Sequence, residues 1–148
     1  MTKINPYLDF NGNAEEAFNF YKSVFGGEFS AVMRWENMPN PAEGCEGMEL
    51  SAEDKNKIMH ISLPIGENYV LMGSDALEGM GPKRIAGTNF SIAINPESRE
   101  ETDRIFAELS EGGTVVVPLD DAFWGAYFGM LTDKFGIQWL FNFDNNQN

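Results

Sequence analysis

The sequence predicts an α+β fold of two βαβββ modules, and three observations carry that prediction. Residues 7–27 run as a strand, an amphipathic helix and a Gly26-Gly27 stop, and a weaker copy of the run returns at 89–113, ending in Gly112-Gly113. Each helix opens on a capping signal, Asn13 with Glu16 and Ser98 with Glu101, in which a side-chain oxygen takes up a free N–H of the first turn. After each helix come three segments rich in β-branched and aromatic residues. Consecutive strands of such a unit pair locally while the helix covers one sheet face. Two units side by side predict curved mixed β-sheets around a cavity, and a concave face is the natural place for a ligand.

The elements follow in order. The first strand is expected over 4–10, with Pro6 near its start, where a missing N–H is tolerated. Asn11-Gly12-Asn13 reads as a turn. Ala14, Ala17, Phe18, Tyr21, Val24 and Phe25 fall at i, i+3, i+4 spacing and give the helix one apolar face. Glu15 and Glu16 suit the positive end of its dipole, and Gly26 ends it in left-handed backbone. A strand is expected at 29–35. Residues 36–56 hold Pro39, Pro41, Gly44 and Gly47 among many acids without periodicity; they read as a long loop, either a lid or a disordered stretch. Segments 57–65 and 68–74 form a hairpin around Gly66-Glu67. The first module spans 1–75, a glycine-rich linker 76–87, and the second module 88–148. In that module a strand over 88–95 precedes the helix, whose buried stripe is Thr102, Ile105, Phe106 and Leu109. A strand over 114–119 follows, then a hairpin of 122–131 and 136–143 turning through Asp133-Lys134-Phe135-Gly136. Residues 145–148 are a polar tail that frays.

Composition excludes several classes of function. The 148 residues make one domain, long enough to bury about two thirds of its unfolded surface without disulfides or a structural metal. Twenty-three acidic against 10 basic residues give a formal charge of −13, which opposes nucleic acid and anionic membranes. Cys45 is the one cysteine; it suits a reducing cytoplasm, and the acids Glu43 and Glu46 beside it disfavour a reactive thiolate. No charged-then-apolar leader opens the chain, and no apolar run approaches the roughly 18 residues of a membrane span. The expected location is cytoplasmic.

With the elements placed, the chain resembles the vicinal oxygen chelate (glyoxalase/bleomycin-resistance/dioxygenase) superfamily, and more narrowly its PhnB-like branch, which carries a 3-demethylubiquinone methyltransferase-type domain name. The resemblance rests on Tyr7-Leu8-x-Phe10-x-Gly12-Asn13-x-Glu15-Glu16-Ala17-x-x-Phe20-Tyr21 and Phe25-Gly26-Gly27. It continues in Met59-His60, Leu71-Met72-x-Ser74-Asp75, Phe123-Trp124-Gly125 and Gly129-x-Leu131-Thr132-Asp133-x-Phe135-Gly136-x-Gln138-Trp139. It implies paired modules, a cavity in the curved sheet and a homodimer, because a twofold partner covers edges and apolar faces that such sheets leave open. It also implies a divalent metal held by His and Glu from the first and last strands of each module. The corresponding positions here offer Pro6 or Tyr7, Leu71 or Met72, Asn89 and Trp139, of which none is a good ligand. The expectation is therefore no metal, no cofactor and a small-molecule ligand. The alternative is a divalent-metal-dependent lyase, isomerase or dioxygenase with atypical ligands. A nucleotide-type methyl-donor site finds no strand followed by a Gly-rich helix opening.

Four residues are candidates for contact with the ligand: His60, Trp124, Tyr127 and Trp139. His60 is the only histidine. Alternation sets Met59, Ile61, Leu63 and Ile65 on one strand face and Ile58, His60 and Ser62 on the other. The apolar face packs on a helix, which leaves His60 on the concave side as acid/base or hydrogen-bonding anchor, or as a structural histidine. Trp124, Tyr127, Trp139 and Phe141 either fill the core or form an aromatic wall with polar handles. Asp120-Asp121 read as solvated turn acids, and Asp75 and Asp133 as structural residues at turns or strand ends. No catalytic residue is identified.

Overall fold

The computed structural model describes residues 2–37, 50–79 and 81–145, and the chain divides into two compact units, Met1–Arg84 and Ile85–Asn148. The first contains β1 (Tyr7–Phe10), α1 (Ala14–Phe25), β2 (Ala31–Arg34), a 3-10 turn at Trp35–Asn37, a short α2 (Ala52–Asn56), β3 (Ile58–Ile65) and β4 (Tyr69–Asp75). Its sheet runs β1-β4-β3-β2, with β1 parallel to β4 and the other pairs antiparallel. The second contains β5 (Ile92–Ile94), α3 (Arg99–Ser110), β6 (Thr114–Asp121), β7 (Ala126–Thr132) and β8 (Gln138–Asp144). Its sheet repeats the topology as β5-β8-β7-β6, with β5 parallel to β8. Each unit is thus a βαβββ module with a four-stranded mixed sheet, as the internal repeat predicts.

In the first unit Ala14, Ala17, Phe18, Tyr21 and Val24 of α1 are buried against Leu8, Phe10, Ile61, Leu63 and Leu71. Contact is close enough to demand a glycine: a Cβ on Gly73 would lie 2.7 Å from Phe18 Cε2 and 2.8 Å from the Leu8 carbonyl oxygen. Gly129 makes the same concession to Phe106 of α3, where a Cβ would lie 2.9 Å from Cε2.

Several local expectations are corrected. Asn13 makes no side-chain cap. Asp75, at the end of β4, does that work: its Oδ1 accepts from the N–H groups of Gly12 and Ala14 and its Oδ2 from that of Ile58, each at 2.9 Å. Gly26 has positive φ (77°), but its ψ of −167° is extended rather than left-handed helical. Ile58 does not share the face of His60. A register shift pairs Met33 with His60 and Arg34 with Ile58, so Met59 is the extra residue of a bulge and Ile58 turns into the core, fully buried. Within 36–56 the chain forms α2, whose N-cap Ser51 accepts from the Asp54 N–H; residues 38–49, with Cys45 and the choice between lid and disorder, lie outside the described residues. Within the expected linker Ala76, Leu77 and Arg84 are fastened to the first unit: Ala76 N–H bonds to the Phe10 carbonyl, Leu77 is buried and Arg84 N–H donates to Asn11 Oδ1. Strand β6 continues through Asp121, so Ala122–Gly125 is the turn rather than the start of the next strand. Ser98 caps α3 by accepting from Glu101 N–H, while the Glu101 carboxylate reaches Glu97 N–H. Among the described residues no helix is long and apolar enough to cross a membrane.

Candidate functional site

Sheet register decides which side chains share a face. In the first unit Ile61 and Leu63 point toward α1, so His60, Ser62 and Pro64 point away from it. Pairing extends that open face sideways: Met33 opposite His60, Ala31 and Met72 flanking Ser62, and Tyr7 beside Met72. Tyr7 and Met33 are 45% and 40% exposed, so solvent reaches this surface. The Tyr7 hydroxyl lies 3.3 Å from His60 Nδ1, and the rings are 5.8 Å apart by centroid. When the phenol donates to Nδ1, the neutral imidazole carries its proton on Nε2 and keeps one donor for a ligand. Ser62 and Ser30 hydroxyls bond to each other at 2.6 Å. The face thus carries an imidazole, a phenol within hydrogen-bond distance of it, and two methionines, Met33 opposite His60 and Met72 opposite Ser62, whose polarisable thioethers adapt to an organic surface.

Tyr7 was not singled out as a ligand contact from the sequence. Its neighbourhood depends on the parallel β1–β4 pairing, which joins residues far apart in the chain.

The second unit separates the other three candidates. Trp124 sits in the β6–β7 turn, 56% exposed, edge-on to Phe123 at 5.0 Å and to Phe128 at 5.4 Å. Tyr127 and Trp139 point to the opposite sheet face, beneath α3. Trp139 is fully buried, in register with Leu131, and its indole N–H donates to Asp133 Oδ2 at 2.9 Å. Asp133 Oδ1 accepts from the N–H groups of Phe135 and Ile137, so this carboxylate fixes the β7–β8 turn. Tyr127 donates its hydroxyl to Asp103 on α3, and the Arg99 guanidinium stacks on its ring at 3.8 Å, a cation–π arrangement. Arg99 also holds Asp121 through two hydrogen bonds, 2.8 and 3.1 Å, and contacts Asn145. Of the two readings of the aromatic residues, core filling holds for Tyr127, Trp139 and Phe141, which are buried, while Trp124 is exposed in its turn, so the four do not form one wall.

This cluster shifts proton affinities. The hydrogen bond to the Asp103 carboxylate, then burial, raise the Tyr127 phenol above its ordinary value. The Arg99 hydrogen bond, then that of Asn145, lower the exposed Asp121 carboxyl. The phenol is neutral when protonated, so its contribution to stability is full below the ordinary tyrosine range and is lost as pH rises through the raised value. A near-ultraviolet titration of Tyr127→Phe is expected to lack a tyrosine component that ionises later than a free phenol. Loss of a component in the ordinary range instead would contradict the Asp103 bond.

Of the positions where the resemblance implies metal ligands, Tyr7 and Met72 are register partners on the open face, Asn89 is exposed and Trp139 is buried. Among the described residues no three His, Cys, Asp or Glu side chains converge as a metal centre would require.

Known proteins share this architecture. A family model described as 3-demethylubiquinone-9 3-methyltransferase matches residues 2–141. Protein YjdN of Escherichia coli K12 is 30% identical, covering 94% of this chain and 93% of its own. The crystal structure of protein PA1353 from Pseudomonas aeruginosa is 39% identical with a TM-score of 0.80, covering 97% and 98%. A Bacillus cereus protein described as a putative 3-demethylubiquinone-9 3-methyltransferase, PhnB protein, is 26% identical with a TM-score of 0.72, covering 96% and 99%. A glyoxalase-related enzyme from Fulvimarina pelagi, 18% identical with a TM-score of 0.56 over 97% and 89% of the two chains, shares the fold. The chain belongs to the family whose model is described as 3-demethylubiquinone-9 3-methyltransferase, the PhnB-like proteins of the glyoxalase fold.

Proposed function

We propose that this chain binds a small organic molecule on the open face of its first sheet, without a metal, with His60 and Tyr7 as the polar anchor. The observation that carries this reading is the Tyr7 hydroxyl at 3.3 Å from His60 Nδ1 on a solvent-reached sheet face. A structural histidine deep in a core has no donor to spare; this one is half-buried, on the sheet face turned away from α1, with the Tyr7 hydroxyl beside Nδ1. The flanking Met33 and Met72 favour an apolar, oxygen-bearing guest, with the imidazole N–H meeting its oxygen.

A thermal-shift screen of oxygenated aromatic and aliphatic metabolites supplies the probe, since ligand binding raises apparent stability by mass action. For a compound that binds, His60→Ala is expected to weaken affinity by about ten- to a hundredfold, the loss of one buried polar anchor. Asp120→Asn is expected to change it little, an exposed charge contributing weakly. Unchanged affinity in His60→Ala would sink the site. Elemental analysis of protein purified without chelators tests the metal-dependent alternative: one tightly bound divalent ion per chain would replace this reading with it.

A homodimer in a reducing cytoplasm belongs to the same proposal. Val116 and Phe123 are 56% and 98% exposed, on and beside the edge strand β6, and a second copy would remove such surface from water. Light scattering at micromolar concentration is expected to give twice the monomer mass, and the monomer mass would contradict the dimer.

A further inference from the structure

Between β1 and α1 the chain carries Asn11-Gly12, its only Asn-Gly pair. That dipeptide is where a chain most readily loses an amide, because glycine has no side chain to hinder its nitrogen from attacking the preceding carboxamide. The fold engages both reacting groups. Gly12 donates its N–H to Asp75 Oδ1 at 2.9 Å. The Asn11 carboxamide is held in both directions by the backbone of Arg84: Nδ2 donates to the Arg84 carbonyl at 2.7 Å, and Arg84 N–H donates to Oδ1 at 3.1 Å. We infer that Asn11 is a deamidation site masked by the folded first unit, and that its conversion unfastens residue 84 from the β1–α1 corner.

The step needs only water. The Gly12 nitrogen gives up its proton and bonds to Asn11 Cγ; the Cγ–Nδ2 bond breaks and the amide nitrogen leaves as ammonia with that proton. Water then opens the cyclic imide at either carbonyl, giving aspartate or isoaspartate, with no change of oxidation state. While Gly12 N–H is committed to Asp75 and the carboxamide is turned to Arg84, the attack is blocked. After conversion the carboxylate still accepts from Arg84 N–H but no longer donates to the Arg84 carbonyl. Isoaspartate also adds a methylene to the backbone next to Gly12, which pulls the Gly12 and Ala14 N–H groups away from Asp75. The carboxylate that caps α1 therefore also guards the chemical lifetime of the corner.

The test is peptide mapping by mass spectrometry after incubation at mildly alkaline pH, comparing the native protein with the same chain in denaturant. Acid at position 11 is expected to form about tenfold or more slowly in the native protein, because reaction waits on local opening. Asp75→Asn, which turns one accepting oxygen into a donor, is expected to fall between the two; circular dichroism shows whether it is folded, and the wild-type comparison stands without it. Asn11→Asp, the simple product, is expected to lower the Tm of the folded chain. Equal rates in native and denatured protein, or faster native conversion at Asn13 or Asn145 than at Asn11, would overturn the masking. An unchanged Tm in Asn11→Asp would overturn the fastening role.

Discussion

Replacing Asp75 by alanine is expected to destabilise the first unit by about 3–5 kcal/mol, a large share of the roughly 5–15 kcal/mol that holds a domain folded. Asp75 is 2% exposed and accepts from three backbone N–H groups belonging to three segments: the β1–α1 turn, the first residue of α1 and the first residue of β3. A buried donor left without an acceptor costs about 1–3 kcal/mol, and the carboxylate also meets the positive end of the α1 dipole. Entry of water at Gly12, the exposed member, keeps the sum below three full penalties. Asp75→Asn retains one accepting oxygen and is expected to lose less. Equilibrium denaturation measures both; a change under about 1 kcal/mol in Asp75→Ala would contradict the capping role.

Trp139→Ala is the second large effect, about 3–5 kcal/mol, the usual cost of emptying the space of a buried tryptophan. Its indole is fully buried and donates to Asp133, so the variant also leaves that carboxylate short of a partner. Trp139→Phe keeps most of the volume and isolates the hydrogen bond, at about 1–3 kcal/mol. The same variant separates core from site: once a ligand is in hand, Trp139→Phe is expected to lower stability and leave affinity unchanged. Weakened binding with unchanged stability would return Trp139 to the site.

What the sequence made legible is what neighbouring residues decide. The two helices, their apolar faces, the Ser98 cap and the hairpins all rest on contacts within a few positions, and the repeat turned them into two βαβββ modules. The misses are non-local. Asn13 has the composition of a cap, but Asp75 lies on a strand that register brings to the helix start, and a carboxylate reaching three N–H groups displaces a local side chain. The bulge at Met59 depends on how β2 pairs with β3, which no pattern within β3 reveals, so Ile58 was placed on the wrong face. Ser51 with Asp54 was a readable capping signal, hidden among the prolines and acids around it. For the site, alternation placed His60 on the open face. Its partner Tyr7 needed the β1–β4 register. Tyr127 and Trp139 were in part legible: Tyr127, Gly129 and Leu131 alternate onto one face, as do Trp139 and Phe141, and an aromatic in such a row packs under a helix.

The central claim is that ligand meets the imidazole of His60 on the open face of the first sheet. A single histidine in the chain makes one spectrum decisive: the imidazole nitrogen and carbon-bound proton resonances, recorded by NMR as a compound from the thermal-shift screen is titrated. Ring resonances that move in step with binding, and that differ in Tyr7→Phe, where the hydroxyl 3.3 Å from Nδ1 is gone, are the expected result. Ring resonances that stay fixed at saturation would contradict it and move the site to another surface.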